Sequence, residues 1–532
     1  MKRLLERPGL VFLLVVIWKA LLLLTVVQPV PSNDAFFYDG PVVHLLNHGG
    51  YFNPSVAQSR PFSGTEFFSA YPPLYQLTML AWMSLFGTSV LSAMGCHFAL
   101  FGGYALTVLA IFRQLKVPAN IANLAGLFLL AITFDDRPDG LACLLGTLGV
   151  YAVTRWLNGA RGWAWLAALF SVLGFCTSLQ IGALYAFWIF LGFVAGWKIS
   201  NNFVERGQPC PPAPPSDELA DKAVRAPVLP LGALAAMVLI PPALAATVRF
   251  GFPLLWGGFL ENVQGNASLT GLRVPHLDEW LKAARNLPAV FLMAALLFAT
   301  SAGRRFLREI KTWSAGEIIF AGGLVAGSSF TFACLFVVAA NWLIVVNYFQ
   351  PILAGLFLLT VAKKFPEFLH QRATTVCLTL LVGLVAVRAI GLTTWGAVCS
   401  VKDSYASARE RVAGELASVP PRENVLLSCA YLYEADRHTN ANWIHEDYAP
   451  LREEGEDYAR SLRRLHAAKL VLTQFDYYRR YQRVLEELRA AGGVQFTVTN
   501  LAHVPPPDSY PHLQKILQHV SWAPVIVDLD WK

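Results

Sequence analysis

The sequence predicts a mainly α fold: a polytopic transmembrane helical bundle of about eleven spans, followed by a soluble C-terminal α/β domain. Three observations carry this. Hydrophobic residues make up 55% of the 532 residues and charged residues only 14%, far outside the balance of a soluble globular protein. Eleven apolar runs are long enough to cross about 30 Å of hydrocarbon at about 1.5 Å of rise per residue. Past Ser400 the composition turns soluble, and amphipathic helical patterns alternate with short apolar runs.

The spans read as 8–27, 88–112, 117–134, 140–157, 162–178, 180–198, 229–250, 286–303, 315–339, 343–362 and 375–397. With the basic N-terminus (Lys2, Arg3, Arg7) in the cytoplasm, every alternate turn is basic: Arg113 and Lys116, Arg155 and Arg161, Lys198 and Arg206, Arg304, Arg305 and Arg308, then Lys363 and Lys364. The same count sets the 31–87 loop, the 135–139 turn, the 251–285 loop and everything after 398 on the outer face. The expectation is a multi-pass membrane protein with a cytoplasmic N-terminus and an extracytoplasmic C-terminal domain. The first segment reads as a retained span, since no small-residue cleavage pattern precedes Gln28.

Residues 201–227, rich in proline and charge without apolar periodicity, read as a disordered cytoplasmic linker. The expected domains are therefore 1–397 in the membrane and 398–532 outside it. In the outer domain, SYASARERVAGELA, EDYARSLRRLHAAK and YRRYQRVLEELRAAG read as helices, and NVLLSCAYL, LVLTQF and VQFTVTNLA as strands.

The net charge of +7 is dispersed over helix ends rather than one face, which excludes a nucleic-acid partner. Of eight cysteines, five fall within spans and Cys210 in the linker; only Cys399 and Cys429 share the outer side, and their spacing leaves a disulfide open. No spacing suggests a metal site. The His445-Glu446-Asp447 run lacks the helical His spacing of a zinc motif and reads as structural.

The loop at 31–87 carries the chemistry. A chain this apolar ordinarily keeps its connections short, and this one holds Asp34, Asp39, Glu66 and many aromatics. Ser32 and Asn33 suit a helix start, and in a helix Asp34 and Tyr38 share one face. Gly40-Pro41 is expected to kink or end that helix. A second helix is expected from Pro72-Pro73, running through Leu74, Leu77, Trp82 and Leu85 as an apolar stripe along the membrane interface. Asp39, before Gly-Pro, reads as turn chemistry, and His44 and Glu66 as solvated or structural. On the residues alone, Asp34 and Asp139 fit either helix caps or acid-base groups, and Arg137 fits either a binding cation or a partner of Asp135 or Asp136.

The order of basic N-terminus, one span, an Asp-x-x-x-Tyr motif early in a long outer loop, then YPPLYQLTMLAWMSLFG, then RPDGLACLLGTLGVY resembles the GT-C superfamily. It is most similar to the branch of protein O-mannosyltransferases and aminoarabinose transferases. The match is specific over 8–160; beyond that it rests on general architecture and on NYFQPILAGLFLL. The resemblance implies an inverting sugar transfer from a polyprenyl-phosphate carrier to a glycan, lipid or protein acceptor on the outer face of a bacterial inner membrane, with membrane lipids around it. It implies Asp34 as catalytic base and Asp139 at the second acidic position. Ala35 stands where relatives often have a second acid, and Tyr71 where they often have a charged residue or histidine.

The reaction needs a carboxylate to take the proton of a poorly nucleophilic hydroxyl, an effect worth about 100- to 10,000-fold. It also needs a cation for the departing lipid phosphate. Arg137 is the first candidate for that cation, with Arg249 and Arg273 behind it, and Tyr38 and Tyr71 as further substrate-binding candidates. The donor arrives already activated, so no nucleotide loop or cofactor is expected. A lipid transporter or flippase is the alternative class, but such proteins carry ionisable groups near the midplane. Here the spans are nearly free of acids, and the basic exception, Lys19, is expected to snorkel or pair locally.

Overall fold

The computed structural model describes residues 7–31, 33–69, 72–132, 137–205, 229–265, 274–280, 313–337, 347–364, 383, 387, 390–391, 394–438, 441–451, 454–501 and 522–532. The expected spans at 286–303 and most of 375–397, together with most of the 201–227 linker, lie outside these residues.

The described chain opens with α1 (Leu10–Val26), followed by α2 (Asn33–His48) and α3 (Leu74–Phe86). The membrane helices then follow as α4 (Val90–Gln114), α5 (Ala119–Gly126), α6 (Asp139–Leu157), α7 (Trp163–Phe175), α8 (Leu179–Glu205) and α9 (Leu231–Gly251). After α10 (Pro253–Gly265) come α11 (Ala315–Phe336) and α12 (Gln350–Lys364). Among the described residues, five helices are long and apolar enough to cross a membrane: α4, α6, the Leu179–Ile199 part of α8, α9 and α11. α1, α3, α7 and the Ala119–Leu130 stretch are apolar but shorter.

The sequence explains where these helices begin. The Ser89 side chain accepts the Ser92 N–H to cap α4, and Ser314 with Glu317 closes a capping box at α11. The bundle core packs Trp156, Tyr185, Trp188, Phe193 and Phe349. Gly182 lets α8 cross the end of α7 closely: a Cβ there would lie 2.5 Å from the Phe175 backbone nitrogen.

Of the two outcomes expected at Gly40-Pro41, an end to the helix is ruled out. α2 runs through Gly40-Pro41 to His48 rather than ending there. The one backbone bond that proline removes is outweighed by burial of Phe37, Tyr38, Val42 and Val43 on both sides of the turn. Gly40 is needed there for another reason, since a Cβ would meet the Asn53 side chain at 2.8 Å. The α3 helix does begin at the double proline, with Leu77 and Leu85 exposed and Tyr75, Met79 and Met83 buried against the bundle.

The C-terminal module opens with α13 (Tyr405–Ala417) and β1 (Asn424–Leu427), then α14 (Leu432–His438), β2 (Asn442–His445), α15 (Tyr458–Leu465) and β3 (Lys469–Thr473). It closes with α16 (Gln482–Ala490), β4 (Val494–Asn500) and β5 (Pro524–Trp531). The sheet order is β2-β1-β3-β5-β4; β1 pairs in parallel with β2 and β3, and β5 runs antiparallel between β3 and β4. The module sits on the first outer loop, because one apolar cluster contains Phe37, Val42, Tyr75 and Met79 together with Tyr431, Leu432, Tyr433 and Trp522. Cys399 and Cys429 form no disulfide; the Cys429 thiol donates to the Pro31 carbonyl at 3.1 Å.

Candidate active site

α2 packs against both α3 and α14, and Asp34 stands in its first turn. Asp139 opens α6, where the helix dipole favours a negative charge. Arg137, two residues before it, joins the two. Its Nη1 lies 3.1 Å from Asp34 Oδ2 and its Nε 2.9 Å from Asp139 Oδ2. The side chains are graded in exposure, with Asp34 at 39%, Arg137 at 20% and Asp139 at 6%. The buried acid thus anchors the guanidinium, and the more open acid faces it from the other side. A planar fork with five N–H donors is suited to holding several oxygens at once.

The other candidates are placed differently. Tyr38 is buried, edge-on to Tyr75 with ring centroids 6.2 Å apart, and packs α2 onto α3. Arg249, in the last turn of α9, lies over the rings of Phe250 and Trp256 at 5.4 and 5.8 Å. Tyr71, Asp135, Asp136 and Arg273 lie outside the described residues. Lys19 pairs locally, as expected: its ammonium donates to the Ile132 carbonyl and sits 4.9 Å from the Phe101 ring.

The structure adds polar groups that sequence reasoning had passed over. Asp39 is not turn chemistry. It is fully buried within α2 and accepts from the Tyr75 hydroxyl at 2.8 Å and the Tyr433 hydroxyl at 3.1 Å. Burial pushes its pKa up to about 7, against the pull of those two hydrogen bonds. Continuing α2 past Pro41 was the missing signal, because it turns an acid at a turn into an acid in a helix interior.

Arg60 is also buried. It donates to Asn262 Oδ1 at 2.8 Å and covers the ring of Phe37, which stacks on Tyr448. Glu261 on α10 accepts the backbone N–H groups of Phe62 and Ser63, both at 2.9 Å, and so ties the 61–65 turn to the later outer loop. His44 pairs with Asp436 of the C-terminal module, whereas Glu66 is exposed. Glu446 and Asp447 engage Arg480, and the Asp447 N–H donates to His445 Nδ1 at 3.0 Å.

Among solved structures, the chain is similar to ArnT from Cupriavidus metallidurans bound to undecaprenyl phosphate, at 14% identity and a TM-score of 0.50, over 98% of each chain. It is also similar to the Archaeoglobus fulgidus oligosaccharyltransferase in complex with Zn and sulfate, at 12% identity and a TM-score of 0.46, over 88% of this chain and 68% of that one. No family model and no curated protein matches the sequence. The match to ArnT over 98% of both chains shows that this chain shares that structure's fold.

Proposed function

We propose that the chain is an integral membrane glycosyltransferase that moves one sugar from a polyprenyl-phosphate carrier to an acceptor on the extracytoplasmic face, with inversion. The observation that carries this reading is the convergence of Asp34, Arg137 and Asp139, which come from the first outer loop and a later turn. The fold shared with ArnT, a structure bound to undecaprenyl phosphate, supports a lipid-phosphate donor.

Asp34 takes the proton of the acceptor hydroxyl as its oxygen bonds to the anomeric carbon. The bond from that carbon to the phosphate oxygen breaks on the opposite side. Arg137, held by Asp139, stabilises the charge that accumulates on the departing polyprenyl phosphate. The two acids hold the arginine in place, and its N–H donors that are not turned to them are the groups able to meet a phosphate oxygen.

The test is transfer by the purified chain in lipid nanodiscs, offered a panel of polyprenyl-phosphate sugars and membrane-extract acceptors, with the anomeric configuration of the product read by NMR. Release of polyprenyl phosphate coupled to an inverted glycoside supports the reading. Movement of intact lipid-linked sugar between leaflets of a vesicle without cleavage would instead make the chain a flippase.

A further inference from the structure

Two histidines and a carboxylate meet where α2 touches the C-terminal module. His44 and His48 lie one helical turn apart, so both imidazoles leave the same side of α2, and their ring centroids are 4.7 Å apart. Facing them from α14 is Asp436, whose side chain is 1% exposed. Its Oδ1 lies 3.1 Å from His44 Nδ1 and its Oδ2 lies 3.3 Å from His48 Nε2. One donor atom from each of the three residues falls within 4.8 Å of the others. In a tetrahedral site with metal–ligand bonds of about 2.0–2.1 Å, neighbouring ligand atoms stand about 3.3 Å apart. Each histidine already stands near that spacing from one of the two carboxylate oxygens, His44 from Oδ1 and His48 from Oδ2, so the carboxylate would face an ion with both oxygens.

The surroundings are those of a built site. Asn47 Nδ2 donates to Asp436 Oδ2 at 2.6 Å, the Thr88 hydroxyl donates to Asn47 Oδ1 at 3.2 Å, and Arg437 donates to the Thr88 carbonyl at 2.7 Å. This chain of hydrogen bonds sets the carboxylate's orientation, as outer partners do around bound metals. His44 is braced by Phe52, with ring centroids 4.5 Å apart. His44 is 13% exposed and His48 48% exposed, so the cluster is closed on the carboxylate side and open on the other, where an ion can enter and keep a water as its fourth ligand.

We propose that His44, His48 and Asp436 bind one divalent transition metal ion of the zinc type. The ion clasps α2 to the C-terminal module. It sits at the opposite end of α2 from Asp34, about 15 Å away along the helix axis at about 1.5 Å per residue, and takes no part in the sugar chemistry. In sequence the only hint is the i, i+4 histidine pair, whose third ligand lies 392 residues further along.

The experiment uses the full chain in nanodiscs, stripped with chelator and then titrated with Co²⁺ and Zn²⁺. The native chain is expected to take up one Zn²⁺, to show the visible absorption of tetrahedral Co²⁺ until Zn²⁺ displaces it, and to unfold at a higher temperature with the ion. His48→Ala, at a half-exposed position that leaves the fold intact, is expected to weaken binding by about 10- to 100-fold or more and to lose the thermal shift. Asp436→Asn is expected to do the same. Sub-stoichiometric Zn²⁺ uptake and no tetrahedral Co²⁺ spectrum in the native chain would overturn the proposal, whatever the variants do. So would His48→Ala binding as tightly as the native chain; the cluster would then be a set of hydrogen bonds only.

Discussion

Replacing Asp39 by Asn is expected to remove the strongest single source of pH-dependent stability in the outer loop. The carboxyl is fully buried, and its pKa is raised from 3.8 to about 7, desolvation outweighing the hydroxyls of Tyr75 and Tyr433. A group whose proton is held more tightly in the folded state contributes stability that is complete below the unfolded value, near pH 4, and lost as pH rises through about 7. The shift corresponds to roughly 4 kcal/mol across that window, with a maximum slope of about 1.4 kcal/mol per pH unit. Asparagine keeps the shape and an acceptor oxygen but carries no charge to desolvate. The assay is unfolding of both chains in nanodiscs from pH 4 to pH 8, with the variant curve subtracted so that histidines titrating in the same range cancel. The native chain should lose stability relative to Asp39→Asn as pH rises, with most of the change complete by pH 8. Parallel curves would show that Asp39 carries no raised pKa and would refute the burial argument.

Arg137→Ala leaves the buried Asp139 without its cation, so transfer should fall by at least about 100-fold and stability by about 3–5 kcal/mol; kinetics and thermal unfolding of the same preparation check both. Arg137→Lys, a point charge in place of a fork, should recover part of the stability but little of the rate. Gly182→Ala brings a Cβ to 2.5 Å from the Phe175 nitrogen, and because backbone cannot swing aside it should cost about 1–3 kcal/mol, read as a lowered Tm. Arg480→Met strands Glu446, whose pKa burial already pushes well up, and should destabilise the chain more than the double variant with Glu446→Gln does.

The membrane class was legible because hydropathy follows directly from residue type. Asp34, Arg137 and Asp139 stood out because the motifs around them are local and carry a family resemblance, and the structure brings their side chains together. The continuation of α2 was not, because local propensity at Gly40-Pro41 favours a break, and only burial of Phe37 and Val43 by segments far away in sequence overrides it. The same cause hid Asp39, whose partner Tyr433 is 394 residues distant. In the C-terminal module, β2 escaped because its four residues, NWIH, hold only two adjacent apolar side chains, Trp443 and Ile444, whereas the equally short β1 begins a longer apolar run. β5, PVIVDLDW, was not read as a strand although its apolar residues lie in the sequence; its place between β3 and β4 is what the sequence does not show. Whether Cys399 and Cys429 join in a disulfide depends on where their backbones lie, which spacing does not encode, and in the structure they do not.

The measurement that tests the central claim most directly is single-turnover sugar transfer by native and Asp34→Asn chains, both folded and both shown to bind the same polyprenyl-phosphate donor. A loss of about 100- to 10,000-fold in the rate of the chemical step, with donor affinity retained, is the predicted result for a carboxylate that accepts the hydroxyl proton. Transfer by Asp34→Asn at the native rate would contradict it and leave Asp34 as a helix-capping partner of Arg137.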